Sequence, residues 1–483
     1  MLIQPVDRKE FVERTFPREY SAMVYTDGNR YYAKDSSGNI ICTDSPTACI
    51  QEAVDHVSSK GGGIVFLKSG IYNLSSGIIL RDKVSLIGEG IHSTRLIPLS
   101  GFSSSYMISL EGNKEYLAVW RRISDIYIYN NYKVDYGIYA GNKVGADYMV
   151  IERVLIRDAV VAGIYQGQDN GVWTVRDCGI FGGTKGYGMY MYYTGDSHYE
   201  NNEIFGFAKG VFAVVLGNSV FIDNRIYMAK WYSDVQDSGV GMHLHGSWGV
   251  RIIGDRYDQN DKKGLYIRDS NSISVVGVLT WKNGVYCTSN PCYGVGIQVY
   301  GGSNITVNDC VSIEDYGHGV ETIGGYGITV EGCVVRNPCY SADLQPYCRA
   351  FDFYRSNRIV VRNSHAVDSR SSPVMKYGFW FDGNNDLLFD GITSAGHLVS
   401  RIFKPSPDNN KLRKNHGIAT ISTGATNITV THNLVCAPSK VYITPLGQPP
   451  GNIWVSNITD TSFDINVSTA PTANLPIAWY AEC

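Results

Sequence analysis

The sequence predicts an all-β chain folded as a parallel β-helix, followed by a small C-terminal β-sandwich. Three observations carry that expectation: a repeated phrase, apolar residues alternating with the strand period, and a turn-rich composition. The phrase is Gly, then apolar–any–apolar, then a short polar turn and an alternating strand ending near Asn, Asp or Cys. It begins at Gly137, Gly163, Gly188, Gly210, Gly241, Gly264, Gly296, Gly319, Ala350 and Gly378, at intervals of 22 to 32 residues. Those intervals are too irregular for a helical solenoid, and propeller blades need about 40 residues and four strands each. Period-two alternation marks strands, and short strands of this kind bury their inward side chains on the next coil.

The elements follow in order. Residues 1–40 form an N-terminal extension. Ser45 to Val57 is the one clear amphipathic helix, with Ser45 as N-cap before Pro46. A helix at this place covers the open end of the first coil, where an uncapped solenoid exposes core and unpaired strand edges. The solenoid itself is expected over 41–403. Lys404-Pro-Ser-Pro-Asp-Asn-Asn410 opens a linker spanning 404–416. Residues 417–483 read as alternating strands with Pro- and Gly-containing turns, which is the sandwich.

Composition narrows the function. The 483 residues carry 42 Lys plus Arg against 45 Asp plus Glu, a net charge of -3, which argues against nucleic acid as the main partner. No apolar run reaches the roughly 18 residues of a membrane span. The N-terminus shows no apolar signal-peptide core. Eleven cysteines are many for a reducing compartment, and Cys42/Cys49, Cys287/Cys292 and Cys339/Cys348 bracket short polar loops suited to disulfides. No pair has zinc-ligand spacing, so no metal and no cofactor is expected. The expected location is extracellular or virion-associated. Cys310 and Cys333 are expected in the core as small apolar residues. Asp177, Asn202, Asn224, Asp309 and Asn363 recur at one turn and are expected to form a polar ladder that satisfies turn amides.

The run from Ala48 to Leu96, with its helix, Gly61-Gly-Gly63, Gly70-Ile-Tyr72 and Val84-Ser-Leu-Ile-Gly-Glu-Gly90, resembles the opening segment of the pectate-lyase-like superfamily. That resemblance covers about residues 40 to 400. It implies a right-handed parallel β-helix and a protein that handles polysaccharide. Gly317-His318-Gly319 is similar to the Gly-His-Gly of polygalacturonases. The chain departs from that family where Cys292-Tyr293-Gly294 stands in place of an Asp pair, and it has no downstream Arg-Ile-Lys. The C-terminal segment resembles small β domains at the ends of viral fibre proteins and some carbohydrate-active enzymes, which implies a homotrimer.

In the phrase, the two apolar residues point inward and the residue between them points outward. Ile138, Ile164, Met189, Val211, Leu265, Ile297, Val320, Phe351 and Phe379 are therefore expected to be buried. The outward column reads Tyr139, Tyr165, Tyr190, Phe212, His243, Tyr266, Gln298, Glu321, Asp352, Trp380. Its aromatic rings suggest either a glycan-binding groove or a sheet covered by a loop or a second subunit. Substrate-binding candidates are Tyr165, Tyr190, Phe212, His243, Tyr266, Gln298, Trp380 and Arg349.

Glu321 and Asp352 fall on consecutive coils, so their carboxyls are expected about 5 Å apart, the separation of a retaining glycosidase pair. Glu314, Asp315 and His318 precede Glu321, and Asp258 and Asp261 precede Tyr266, on loops expected to lead to the same face. Each alone is an ordinary turn residue; together they are the candidate catalytic set. The leading expectation is an endo-acting glycoside hydrolase on a polysaccharide. The alternatives are a glycan-binding tailspike or fibre and a uronate lyase, whose C5 base would come from His243, Tyr266, His318, Lys262, Lys263 or Arg349.

Overall fold

The computed structural model describes residues 20–483 except 111–119, 143–144, 183–184, 286–293, 340–347, 404–411, 413 and 435. The chain divides into two compact units, Met1–Tyr266 and Ile267–Cys483.

The first unit opens with an antiparallel ribbon, Ala22–Thr26, Tyr31–Asp35 and Ile40–Asp44. The helix Pro46–Ser59 follows, and the Ser45 side chain accepts from the Ala48 amide at 3.3 Å. Pro46 sits where its missing N–H costs nothing, and Ile50, Ala53, Val54 and Val57 are buried. Three-stranded coils come next. Gly63–Leu67, Gly70–Leu74 and Ile78–Leu80 pair in parallel with Val84–Gly88, Thr94–Pro98 and Tyr106–Leu110 one coil later. Within the repeated phrase, Ile138, Ile164, Met189, Val211 and Met242 are register partners on successive strands, all buried. The leading Gly is demanded by close approach: a Cβ at Gly188 would lie 2.3 Å from Ile204 Cγ2.

Turns in this unit are satisfied by a side-chain ladder. Asn202 Oδ1 accepts from the Cys178 amide at 3.1 Å, Asn224 Oδ1 from the Asn202 amide at 3.0 Å, and Asp255 Oδ1 from the Asn224 amide at 2.8 Å. Asn202 and Asn224 thus do what the sequence predicts. Asp177, Asp309 and Asn363 do not: each has φ between 46° and 55° and takes the left-handed turn position. Asp and Asn tolerate that conformation better than other residues with a Cβ.

Two β-branched residues sit there as well. Val172 and Val215 both have φ of 57°, which is strained for valine. Val172 is 40% exposed, so little packing would be lost on its replacement. Val172→Asn is expected to raise stability by about 1 kcal/mol, read as a higher urea midpoint. An unchanged or lower midpoint would show that the turn stores no strain.

The second unit continues the three-strand pattern. Val295–Tyr300, His318–Ile323, Arg349–Tyr354, Tyr377–Asp382 and Ser400–Phe403 are successive parallel partners in one sheet. Inward Phe351 stacks on Phe379 with centroids 4.6 Å apart, and Phe353 on Phe381 at 5.0 Å. Ile297, Val320, Phe351 and Phe379 are all buried, as is Leu265 in the first unit.

Two small antiparallel sheets end the chain: Lys414–Ile421, Leu475–Glu482 and Lys440–Pro445, then Asn427–Thr431, Ser462–Val467 and Ile453–Ser456. Phe463, Ile465, Ile477 and Trp479 form their buried face. The Cys42–Cys49 and Cys339–Cys348 disulfides are present, with Cα separations of 5.1 and 5.8 Å. A third, Cys436–Cys483, closes 47 residues that the sequence left unpaired, because only strand pairing brings them together. The expected Cys287–Cys292 bond lies outside the described residues. Cys178, Cys310 and Cys333 are buried free thiols.

Candidate functional site

The outward column forms in both units. In the first, ring centroids are 5.3 Å apart for Tyr139–Tyr165, Tyr165–Tyr190 and Tyr190–Phe212, then 5.1 Å for Phe212–His243 and 4.5 Å for His243–Tyr266. Tyr139 and Tyr165 are within 13° of parallel, and Tyr190 and Phe212 within 19°. Tyr139 and Tyr165 share ring faces, as do Tyr190 and Phe212, while Tyr165 meets Tyr190 edge to face at 70°. Tyr165 Oη donates to Asn142 Oδ1 at 3.1 Å, and burial pushes the Tyr165 and Tyr190 phenols up to about 12. Tyr165, Tyr190 and Phe212 are half-buried. Tyr266, expected on the outward face, is only 5% exposed, and His243 is 1%. Lys263 Nζ lies 3.7 Å from the Tyr266 centroid, and Lys209 Nζ lies 3.9 Å from that of Phe212.

In the second unit the column runs Gln298, Glu321, Asp352, Trp380, each the register partner of the next. The expected side-by-side carboxyls are there. One donor atom each from His318, Glu321 and Asp352 lies within 4.8 Å of the other two, so this trio is the described cluster able to hold a cation. Arg349 Nη1 is 2.5 Å from Asp352 Oδ2, and the guanidinium carbon sits 3.7 Å from the Trp380 ring centroid. His318 Nδ1 is 3.1 Å from the Arg349 carbonyl oxygen, and its Nε2 is 3.6 Å from Asp352 Oδ2. Gln298 Nε2 donates to Glu321 Oε2. Tyr377 meets Trp380 edge to face at 4.8 Å.

The loop carboxylates go elsewhere. Asp315 points into the solenoid: Oδ2 accepts from Thr280 and Ser312 at 2.6 and 2.7 Å, and Oδ1 from the Asn283 amide at 2.8 Å. It is fully buried, which pushes its carboxyl up to about 6. Glu314 takes a left-handed turn and pairs with Lys282 at 3.5 Å. Asp258 lies on Arg256–Asp258, in a different sheet from the aromatic column, between Arg225 and Arg256 at 3.2 and 2.6 Å. Asp261 accepts from the Trp231 amide at 2.7 Å and is 4% exposed; burial raises its carboxyl. Loop length hid these outcomes, because one residue more or fewer in a turn exchanges inside for outside.

A second outward column was missed. It is formed by the residue before Gly or Ala in seven of the ten phrases, Tyr136, Tyr187, Lys209, Lys263, His318, Arg349 and Tyr377, while Ala162, Val240 and Val295 hold that place in the other three and are buried. Tyr136 is 4.7 Å from Tyr139 and Tyr187 is 4.9 Å from Tyr190, so it flanks the first. Its constant offset from the repeat was the signal.

The family described as right-handed β-helix region matches residues 106–280 and 232–364, together 259 of 483 residues. Alginate lyase 7 of Azotobacter vinelandii is 33% identical over 147 residues, covering 26% of this chain and 17% of that protein. The chain thus spans less than a fifth of that relative. The catalytic unit of a thermostable GH87 α-1,3-glucanase from Streptomyces thermodiastaticus has a TM-score of 0.55 at 13% identity, over 74% of this chain and 67% of that one. Tailspike protein 3 of bacteriophage CBA120 scores 0.50 at 13% identity, over 74% and 57%. At such identities the two structures speak for the fold. The chain belongs to the right-handed β-helix family.

Proposed function

We propose that the protein is a polysaccharide-degrading enzyme, an endo-acting glycoside hydrolase whose catalytic groups are Glu321 and Asp352. The observation that carries this reading is their placement as register partners on adjacent outward strands, beside Arg349 and His318. Two carboxyls at such a spacing can divide the acid and nucleophile roles of a retaining glycosidase. Asp315 and Asp258 become structural in this reading, since each is consumed by internal partners. The likeness to a protein named α-1,3-glucanase supports a glycan-acting fold.

A uronate lyase is the second reading, favoured by the named activity of the 33% identical relative. A reducing-sugar assay over a polysaccharide panel, read with absorbance at 235 nm, separates them. Hydrolysis gives reducing ends without the absorbance. Elimination gives both. Retained glycan binding with neither signal would make the protein a binding fibre and remove the enzyme reading.

The C-terminal sheets are proposed to hold a homotrimer. Ile418 and Tyr442 are 66% and 61% exposed on one of them, an apolar surface that subunit contact would cover. Removing residues 417–483 should lower the number of subunits per particle, read by light scattering; an unchanged number would refute it. Three disulfides fit an oxidising location, extracellular or on a virion.

A further inference from the structure

The cluster around Glu321 has a property that selects its ligand. Asp352 Oδ1 and Gln298 Oε1 are both buried, and neither has a hydrogen-bond partner among the described residues. Their side chains are 97% buried by residue exposure, at 3% for each. Both atoms are acceptors, and they flank Glu321 on the coils before and after it. Buried acceptors without donors are rare, and each calls for a group that supplies a proton.

Charge narrows the choice. Two carboxylates share this patch with one guanidinium, and that guanidinium is already paired to Asp352 at 2.5 Å and laid on Trp380. His318 is likewise engaged, with Nδ1 at the Arg349 carbonyl and Nε2 facing Asp352. A uronate carboxylate placed here would meet the carboxyl groups of Glu321 and Asp352 and the amide oxygen of Gln298. It would have to share Arg349 with Asp352, whose Oδ2 already holds Nη1. Sugar hydroxyls bring the missing donors and no charge.

Resting on the reading of Glu321 and Asp352 as the catalytic pair, we propose that the sugar bound at Gln298, Glu321 and Asp352 is a neutral one, so the substrate is a neutral polysaccharide rather than a polyuronate. Gln298 is then a substrate-binding residue that accepts a hydroxyl through Oε1, while its amide nitrogen steadies Glu321.

The test uses the full chain against matched polymers: neutral glucans, mannans and galactans beside polygalacturonate and alginate. Reducing ends from a neutral polymer alone are expected. Reducing ends from a polyuronate without absorbance at 235 nm would overturn the neutral-sugar inference and leave the hydrolase reading standing. Binding of a neutral polymer without cleavage would do the reverse. Absorbance at 235 nm would end both. Gln298→Leu is expected to raise KM at least tenfold on the neutral polymer, with Gln298→Glu worse and the melting temperature near wild type. If Gln298→Leu changes only stability, the acceptor role is wrong. Calcium or manganese chloride is expected to leave the melting temperature unchanged. A metal-dependent rise abolished in Asp352→Asn would assign the free oxygen to a cation and overturn the inference.

Discussion

Glu321→Gln and Asp352→Asn should each lower turnover about 10³-fold or more on the cleaved polysaccharide, with the fold intact. Both substitutions keep the side chain's outline and remove its ability to donate a proton, accept one, or attack. The expected loss sits in kcat, because in the proposed reading either group acts on the reacting bond rather than only holding the sugar. Asp352→Asn has a second consequence. An amide nitrogen turned toward Arg349 Nη1 would set donor against donor where a carboxylate oxygen now lies at 2.5 Å. Circular dichroism and a melting curve are therefore part of the measurement, and Glu321→Gln, whose neighbour Gln298 can flip its amide, is the cleaner of the two.

Controls give the experiment its force. Asp309→Asn changes a left-handed turn residue to another type that tolerates the turn, and activity should not move. Asp315→Asn should alter stability and leave kcat near wild type, because Asp315 is bonded inside the coil by Thr280, Ser312 and Asn283. Near-normal turnover in both carboxamide variants would place the active site elsewhere.

The solenoid and its register were legible because a coil repeats one demand many times: small residue, inward apolar, outward residue, inward apolar. Any single strand of three to six residues is ambiguous, yet ten in phase are not. The same periodicity placed Glu321 beside Asp352. Turn carboxylates carry no such phase. Asp315 enters the core and Asp258 joins another sheet, although in sequence they look like Glu314 and Asp261. The aromatic column was visible, but its use of ring faces was not. Sequence gives the stacking of side chains along the coil axis only through the coil spacing, and rings about 5 Å apart on neighbouring strands satisfy each other first. Long-range bonding was also invisible: Cys436 and Cys483 meet only because two strands pair with Leu475–Glu482.

Asp255→Asn is expected to stabilise the protein strongly at pH 8 and hardly at all at pH 4. Asp255 ends the ladder begun by Asn202 and Asn224, and it is fully buried. Burial is the largest influence on its carboxyl and raises it from 3.8 to about 7, against the lowering effect of the Asn224 and Tyr257 hydrogen bonds. The folded state therefore holds this proton more tightly than the unfolded chain. Below about pH 3 both states are protonated and nothing is lost. As pH rises from 4 toward 7, the unfolded chain gives up its proton first, and stability falls by about 1.4 kcal/mol per pH unit. Above 7 the loss levels off at about 4 kcal/mol, an upper figure because a buried site relaxes when it ionises. Asparagine keeps the ladder: its Oδ1 can accept from the Asn224 amide and side chain, as Asp255 Oδ1 now does at 2.8 and 3.0 Å. Its nitrogen can donate to Tyr257 Oη, and that hydroxyl still has Met242 Sδ at 3.1 Å. Urea midpoints at pH 4 and 8 decide it. Wild type should fall between them by more than the variant does, and equal slopes in the two proteins would mean that Asp255 stays protonated, or stays solvated, across the whole range.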